Sequence, residues 1–283
     1  MVGDAHAHSN PIGGLGAKVI AEKFKASGGW FIALVALPPS AYKLEPPSLE
    51  AYIKAVEVHV SECSRARHAG LKVACIAGFH PAEVDKLVDK YGFKPLQALE
   101  LGYKIVDYVA ELVEKGVLDG IGEVGRQHYK TTSDRALIAQ LILERAMEHS
   151  RDKGLLVHMH LEQAGEATVE LTDKAAARLG APKNKLLFHH ADPKTAIEAW
   201  KKGYPSSIPG TPKLLEYALN NLNPFYMIES DYIDDLKRGG AVAYPWEMAY
   251  NINKLVKENK NLEEKASKIL IDNVAMVYNV EPP

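Results

Sequence analysis

Short apolar runs alternate with longer amphipathic stretches along the whole chain. Strand-length runs fall at 2–8, 30–37 (WFIALVAL), 71–79 (LKVACIAGF), 117–124 (VLDGIGEV), 154–161 (GLLVHMHL), 185–190 (KLLFHH), 204–208 (YPSSI) and 225–231 (FYMIESD). The seventh has the weakest strand composition. Helical candidates lie between them at 15–27, 48–69, 95–115, 133–153, 165–180, 193–203 and 211–222. In the fourth of these, Leu137, Leu141, Ile142 and Met147 form an apolar stripe beside Glu144, Arg145 and Glu148. Residues 245–277 carry two more helices, and the Pro-rich stretch 38–47 (PPSAYKLEPP) reads as a loop. Continuous apolar strands alternating with helices predict a parallel sheet covered by helices. Eight such repeats in 283 residues fit an α/β fold of the (β/α)8 TIM-barrel type, one domain over 1–283. A doubly wound open sheet is the alternative. It lacks support because no Gly-x-Gly-x-x-Gly follows the first strand, and the pair Gly13-Gly14 has another spacing.

Composition narrows the function classes. Apolar residues make up 47% and charged residues 25%, ordinary for a globular protein. A net charge of −2 offers no broad basic face for tracking along nucleic acid or lying on a membrane, while leaving a phosphate-bearing substrate open. No run approaches the ~20 apolar residues of a membrane span. The N-terminal stretch has no basic region of the signal-peptide kind, so a cytoplasmic location is expected. Cys63 and Cys75 lie outside any Cys-x-x-Cys spacing, and Cys75, inside Val73-Ala74-Cys75-Ile76-Ala77, is expected to be a buried, reduced core residue.

The candidate chemistry sits at the ends of the apolar runs. In a barrel the active site lies at the C-terminal mouth, built from strand ends and the loops that follow. Asp4-Ala5-His6-Ala7-His8 closes the first run, and residues two apart on a strand share a face, so His6 and His8 point into one space. Glu123 ends the fourth run, His158 and His160 the fifth, His189 and His190 the sixth, and Asp231 the eighth. Four His, one Glu and one Asp around one mouth suit one or two divalent ions, Zn, Mn, Mg, Fe or Ni, with a bridging water as nucleophile. His158 and His160 share a face, and His160 is one layer nearer the mouth, which favours it as ligand over His158. His189 and His190 point opposite ways; one reads as a ligand and the other as facing the helices, and pattern alone does not choose.

Taken together, DAHAH (4–8), GFHP (78–81), GEVGRQHY (122–129), VHMHLE (157–162), LLFHHADP (186–193) and ESDYIDD (229–235) resemble the TatD-like metal-dependent hydrolases of the amidohydrolase superfamily, in particular their archaeal branch. The resemblance implies a barrel with a two-metal site. His6, His8 and Asp231 would bind one ion, His160 and His189 the other, and Glu123 would bridge them. Phosphotriesterase-like members of the superfamily usually bridge with a carbamylated lysine at the end of strand four. Here that strand ends in Glu123, with no lysine after it before Lys130, which favours the TatD-like reading. The chain departs from the commoner bacterial pattern after His189, where His190-Ala191-Asp192 replaces a Cys-Phe-Ser-Gly run.

Several neighbours carry expectations of their own. Asp231, ligated through one oxygen, would accept the water's proton through the other as general base. Arg126, His128 and Tyr129 follow Glu123 and supply donors suited to phosphate, against the plainer reading of Arg126 as a surface residue. His80 is placed at substrate or leaving group, the alternative being a structural bond to a loop carbonyl. Glu162 and Asp4 are candidates to orient ligand histidines. The charged loop 232–240 reads either as a solvated turn or as a lid whose Arg238 meets an anionic group. The leading functional expectation is hydrolysis of phosphodiester bonds, with DNA or RNA ends or a small molecule as substrate. An amidase, lactonase or aminoacyl-ester deacylase using the same water is the second. A barrel that binds without catalysing is the third, and the full ligand set speaks against it.

Overall fold

In the computed structural model, which describes residues 1–237 and 243–283, eight parallel strands alternate with helices. The strands are β1 (Val2–Ala7), β2 (Gly29–Val35), β3 (Lys72–Ala77), β4 (Gly120–Gly125), β5 (Val157–His160), β6 (Leu186–His189), β7 (Ser207–Pro209) and β8 (Met227–Glu229). The principal helices are α1 (Ala17–Ala26), α2 (Leu49–His68), α3 (Pro81–Asp89), α4 (Pro95–Glu114), α5 (Ser133–Lys153), α6 (Glu166–Leu179), α7 (Pro193–Lys202), α8 (Pro212–Asn221) and α9 (Pro245–Glu258), followed by short helical turns to α11 (Asn273–Tyr278). One helix escaped the periodicity reading. α3 starts at Pro81, with the His80 Nδ1 accepting from the Ala82 N–H at 3.0 Å. Its signal was local: proline in the first helical position, Glu83 in the first turn, and Val84 and Leu87 facing inward.

β1 through β6 form one parallel sheet in chain order, and β7 pairs with β8 in a second ladder. The two ladders meet through single parallel bridges, Phe188 with Ser206 and Ala7 with Tyr232. The eight-stranded ladder expected from the sequence is therefore interrupted on both sides of β7–β8. Pro205 and Pro209 flank or end β7 and have no N–H to donate, which keeps that strand to three residues.

Two apolar layers hold the strands. Between strands and helices, large side chains such as Phe24, Ile105, Leu143 and Phe188 are fully buried. On the other face of the sheet, Ala5, Phe31, Ala33, Ala74, Ile76, Leu156, Leu187 and Met227 form a separate cluster. Tyr278 packs against the Phe31 ring at 4.7 Å, and its hydroxyl donates to the Ala5 carbonyl at 2.7 Å. Cys63 on α2 and Cys75 on β3 are joined in a disulfide, correcting the expectation of reduced thiols. Only packing reveals the pair: the inward face of α2 meets the outward face of β3, with Cα atoms 5.8 Å apart. Among the described residues no helix is long and apolar enough to cross a membrane.

Candidate metal centre

The strands' C-terminal ends deliver five imidazoles to one buried carboxylate. Glu123 Oε1 lies 2.8 Å from His6 Nε2, 3.2 Å from His189 Nε2 and 3.7 Å from His8 Nε2. Its Oε2 lies 3.0 Å from His80 Nε2 and 3.7 Å from His160 Nδ1. Ligand atoms of His6, His8, Glu123 and Asp231 all fall within 4.8 Å of one another, as do those of His80, Glu123 and His160. Parallel register explains the convergence, since Gly125 pairs with His160 and His160 with His189, which places three strand ends at one level. Gly125 is itself required there. At φ +151°, with a Cβ that would overlap the His160 carbonyl oxygen, the position admits no side chain without displacing His160.

Second contacts set which nitrogen faces the cluster. His8 Nδ1 lies 2.8 Å from the Val35 carbonyl, which can only accept, so Nδ1 carries the proton and Nε2 presents its lone pair. His158 sits one layer deeper than His160, its Nδ1 3.4 Å from His6 Nδ1, with no contact to Glu123. Burial pushes His8, His158 and His160 below the usual imidazole range and keeps them neutral, the state a metal ligand needs. Burial opposes ionisation of Glu123, but the charges of His80 and His189 and the hydrogen bonds from His189 and His6 outweigh it and hold the carboxyl well below its ordinary value. His189, fully buried between the Glu229 and Glu123 carboxylates, is held well above its ordinary value despite its desolvation. His160 Nε2 is buried without a hydrogen-bond partner. An orphaned imidazole nitrogen within this set of imidazoles and carboxylates fits a divalent cation.

Two residues depart from strand geometry. His190 and Asp231 have φ of +53° and +47°, the left-handed region that costs a non-glycine residue about 1–3 kcal/mol. The left-handed turn corrects the expectation that one histidine of the 189–190 pair faces the helices. It swings His190 to the mouth, where its Nδ1 is 2.8 Å from Asp231 Oδ2. Asp231 is held by its own N–H to the His6 carbonyl at 2.9 Å. Burial disfavours its charge, and the His190 hydrogen bond with the nearby charges of His189 and His6 brings its pKa down all the same.

The remaining predicted residues divide. His80 and His128 line a cavity of about 660 Å³ at the mouth together with His8, Glu123, His160 and Asp231, and with Lys43, Lys86 and Lys237. The His128 ring is 4.5 Å from that of His160. Arg126 is not brought to this cavity. Its guanidinium makes two 2.8 Å bonds to Glu162, one of 2.7 Å to Gln140 and one of 3.3 Å to Thr172, between α5 and α6. Glu162 is thus committed to Arg126 rather than to a ligand histidine. Asp4 Oδ1 accepts from the His6 and Ser230 backbone N–H groups, tying β1 to the end of β8 without touching an imidazole. Burial pushes the Asp4 carboxyl up to about 7. In the loop after Asp231, the Asp234 carboxylate accepts from the N–H groups of Asn10, Leu15 and Gly16 and so pins that segment to the β1–α1 connection. Arg238 lies outside the described residues. Sequence reasoning missed Glu229 and the mouth-facing role of His190. Glu229 stands two residues before Asp231, a same-face spacing that was a usable signal.

A carboxylate-centred histidine cluster at the C-terminal ends of parallel strands has the donors that a metal-dependent hydrolase needs. The sequence profile of the family described as TatD related DNase matches residues 3–279, and the chain belongs to that family, whose members hydrolyse ester bonds with divalent metals. An uncharacterized protein of Methanocaldococcus jannaschii is 28% identical over 284 residues, 99% of this chain and 96% of that protein. Among solved structures, the TatD-like protein of Archaeoglobus fulgidus superposes with a TM-score of 0.65 at 18% identity, over 98% of this chain and 99% of its own. A mutant organophosphorus hydrolase from Deinococcus radiodurans gives 0.66 at 15% identity, over 98% and 92%. The phosphotriesterase homology protein of Escherichia coli, complexed with phosphate in its active site, gives 0.60 at 13% identity, over 98% and 99%. At such identities the likeness is one of fold, a TIM barrel of the TatD-like kind.

Proposed function

We propose that the chain is a two-metal phosphodiesterase whose substrate is a DNA end. The observation that carries this reading is the convergence of His6, His8, His80, His160 and His189 on the buried Glu123. Family membership supports the bond class, and the lysines at the cavity rim support an anionic substrate. The eight strands are read as one closed barrel, sealed by the Ala7–Tyr232 and Phe188–Ser206 bridges. His6, His8 and Asp231 would hold one ion, and His160 and His189 the other, with Glu123 between them. Zinc, manganese, iron and nickel all suit these donors, and magnesium suits the carboxylates. Bound there, divalent ions supply Lewis acidity and a lowered water pKa.

The chain's own residues do the rest. Asp231, ionised at neutral pH, accepts the proton of the entering water. His190 Nδ1–H donates to Asp231 Oδ2 at 2.8 Å and orients the carboxylate, and the pair opens to solvent through the 23% exposed His190 side chain, so the accepted proton leaves Asp231 for water. His80 and His128 border the position of the scissile group, and Lys43 and Lys237 at the rim bind flanking phosphates.

Elemental analysis of the purified protein, joined to hydrolysis assays on single-stranded oligodeoxynucleotides, an aryl phosphodiester and a neutral lactone, tests the reading. Expected are bound divalent metal and cleavage of both phosphodiesters. Lactone turnover without phosphodiester cleavage would overturn it in favour of a C–O hydrolase.

A further inference from the structure

Glu229 belongs to neither of the ion sites proposed above, yet it is fully buried at their junction. It lies on β8, and its carboxylate makes contacts on β6 and β7. Oε2 accepts from the Ser207 hydroxyl at 2.5 Å. Oε1 accepts from the His190 backbone N–H at 2.8 Å. His189 Nδ1 lies 3.3 Å from Oε1 and 3.4 Å from Oε2. Burying a carboxylate this deeply costs several kcal/mol in real proteins, so its full set of partners calls for a reason.

The partners supply the reason. A carboxylate can only accept from an imidazole, so Glu229 fixes the proton of His189 on Nδ1 and aims Nε2 at Glu123, 3.2 Å away. Its Oε1 also holds the His190 N–H at the point where the backbone turns left-handed, φ +53°. That turn sets the His190 ring against Asp231. One side chain thereby orients a ligand of one proposed ion and the hydrogen-bond partner of a ligand of the other. Pro209 opposite Glu229 in the β7–β8 ladder, and the Gly210 N–H donating to the Glu229 carbonyl at 2.7 Å, fix its backbone in turn.

We infer that Glu229 is a positioning residue that preorganises both halves of the metal centre, His189 directly and Asp231 through His190. The inference rests on His189 and Asp231 being metal ligands. Its test is the affinity of metal-free protein for Co²⁺ or Zn²⁺, measured by competition with a chromogenic chelator, together with the visible spectrum of the Co²⁺-loaded form. Glu229→Gln keeps size and one acceptor but loses the charge. It is expected to weaken ion affinity by about 10–100-fold and to change the Co²⁺ band positions. The pH dependence of kcat should move as well, because His190 loses its anchor. Ser207→Ala, which removes one partner and leaves the carboxylate, should shift all three readouts in the same direction by less, and it serves if Glu229→Gln folds poorly. Wild-type affinity and spectrum in both variants, with ion binding lost in His189→Ala, would overturn the inference and leave the metal centre standing. A wild-type protein that takes up no ion overturns both. Loss of the Co²⁺ ligand-field pattern of one whole ion in Glu229→Gln would make Glu229 a direct ligand and overturn the positioning role.

Discussion

The same strands end in two different environments. At their N-terminal side, Phe31, Leu156, Leu187 and Met227 pack into an apolar cluster against Tyr278. At the C-terminal side, His6, Glu123, His160 and His189 converge, and His190 and Asp231 sit in left-handed conformations. The difference teaches where this fold stores stability and where it accepts strain. Packing at one end over-determines the strand positions, so the other end can hold desolvated histidines and carboxylates that on their own would push the strands apart.

That division can be broken experimentally, and the largest effect belongs to the ion. Dialysis against a strong chelator should abolish hydrolysis, with recovery on adding Zn²⁺ or Mn²⁺. The unfolding free energy should fall with ion removal by about 4 kcal/mol for a protein previously held at a thousandfold excess over Kd. Activity that survives chelation would place the chemistry elsewhere. Next, Asp231→Ala should lower kcat by about 10²–10⁴-fold while the metal-free protein unfolds at only a slightly lower urea midpoint, because the His190 contact that favours the carboxylate is lost and the left-handed backbone at φ +47° is kept. A large drop in that midpoint would show that the mouth carries stability after all.

The opposite end should behave in the opposite way. Phe31→Ala leaves a cavity among fully buried neighbours and should cost about 3–5 kcal/mol in urea denaturation, with kcat and KM unchanged at low temperature. A fall in kcat of tenfold or more would mean that the two ends are coupled. The smallest effect is expected on the flank, at His59 of α2. Burial pushes its imidazole down to about 3, whereas in the unfolded chain it titrates near 6.5. Between those values the unfolded state binds a proton that the folded state does not, so stability is fully present above pH 6.5 and declines as pH falls toward 3. The slope is at most about 1.4 kcal/mol per pH unit. His59→Gln should flatten that slope between pH 6.5 and 4.5; an unchanged slope would show that His59 does not contribute to it.

Much of the fold was legible because most strands lie in apolar runs and most helices carry an apolar stripe. Even the short β7 overlaps the run 204–208, the one with the weakest strand composition. α3 was not, because nine residues hold too few periodic positions to stand out beside the flanking helices. For the site, the strand-end rule gathers His6, His8, Glu123, His160, His189 and Asp231, and the structure brings those six together. The rule fails for Arg126, which follows the right strand but finds a stronger, bidentate partner in Glu162. It fails for the cysteines too, since twelve positions of separation say nothing about whether a helix face will meet a strand face.

The sequence by itself determined the order of the elements, the family and the kinds of atoms at the strand ends, because period and residue type are local properties. Only the tertiary structure decided which of those atoms meet. The left-handed turn at His190, the burial of Glu229 against β6 and β7 and the diversion of Arg126 arise from contacts between residues 14 to 46 positions apart. Contacts at that range are chosen by packing, and no spacing along the chain encodes them.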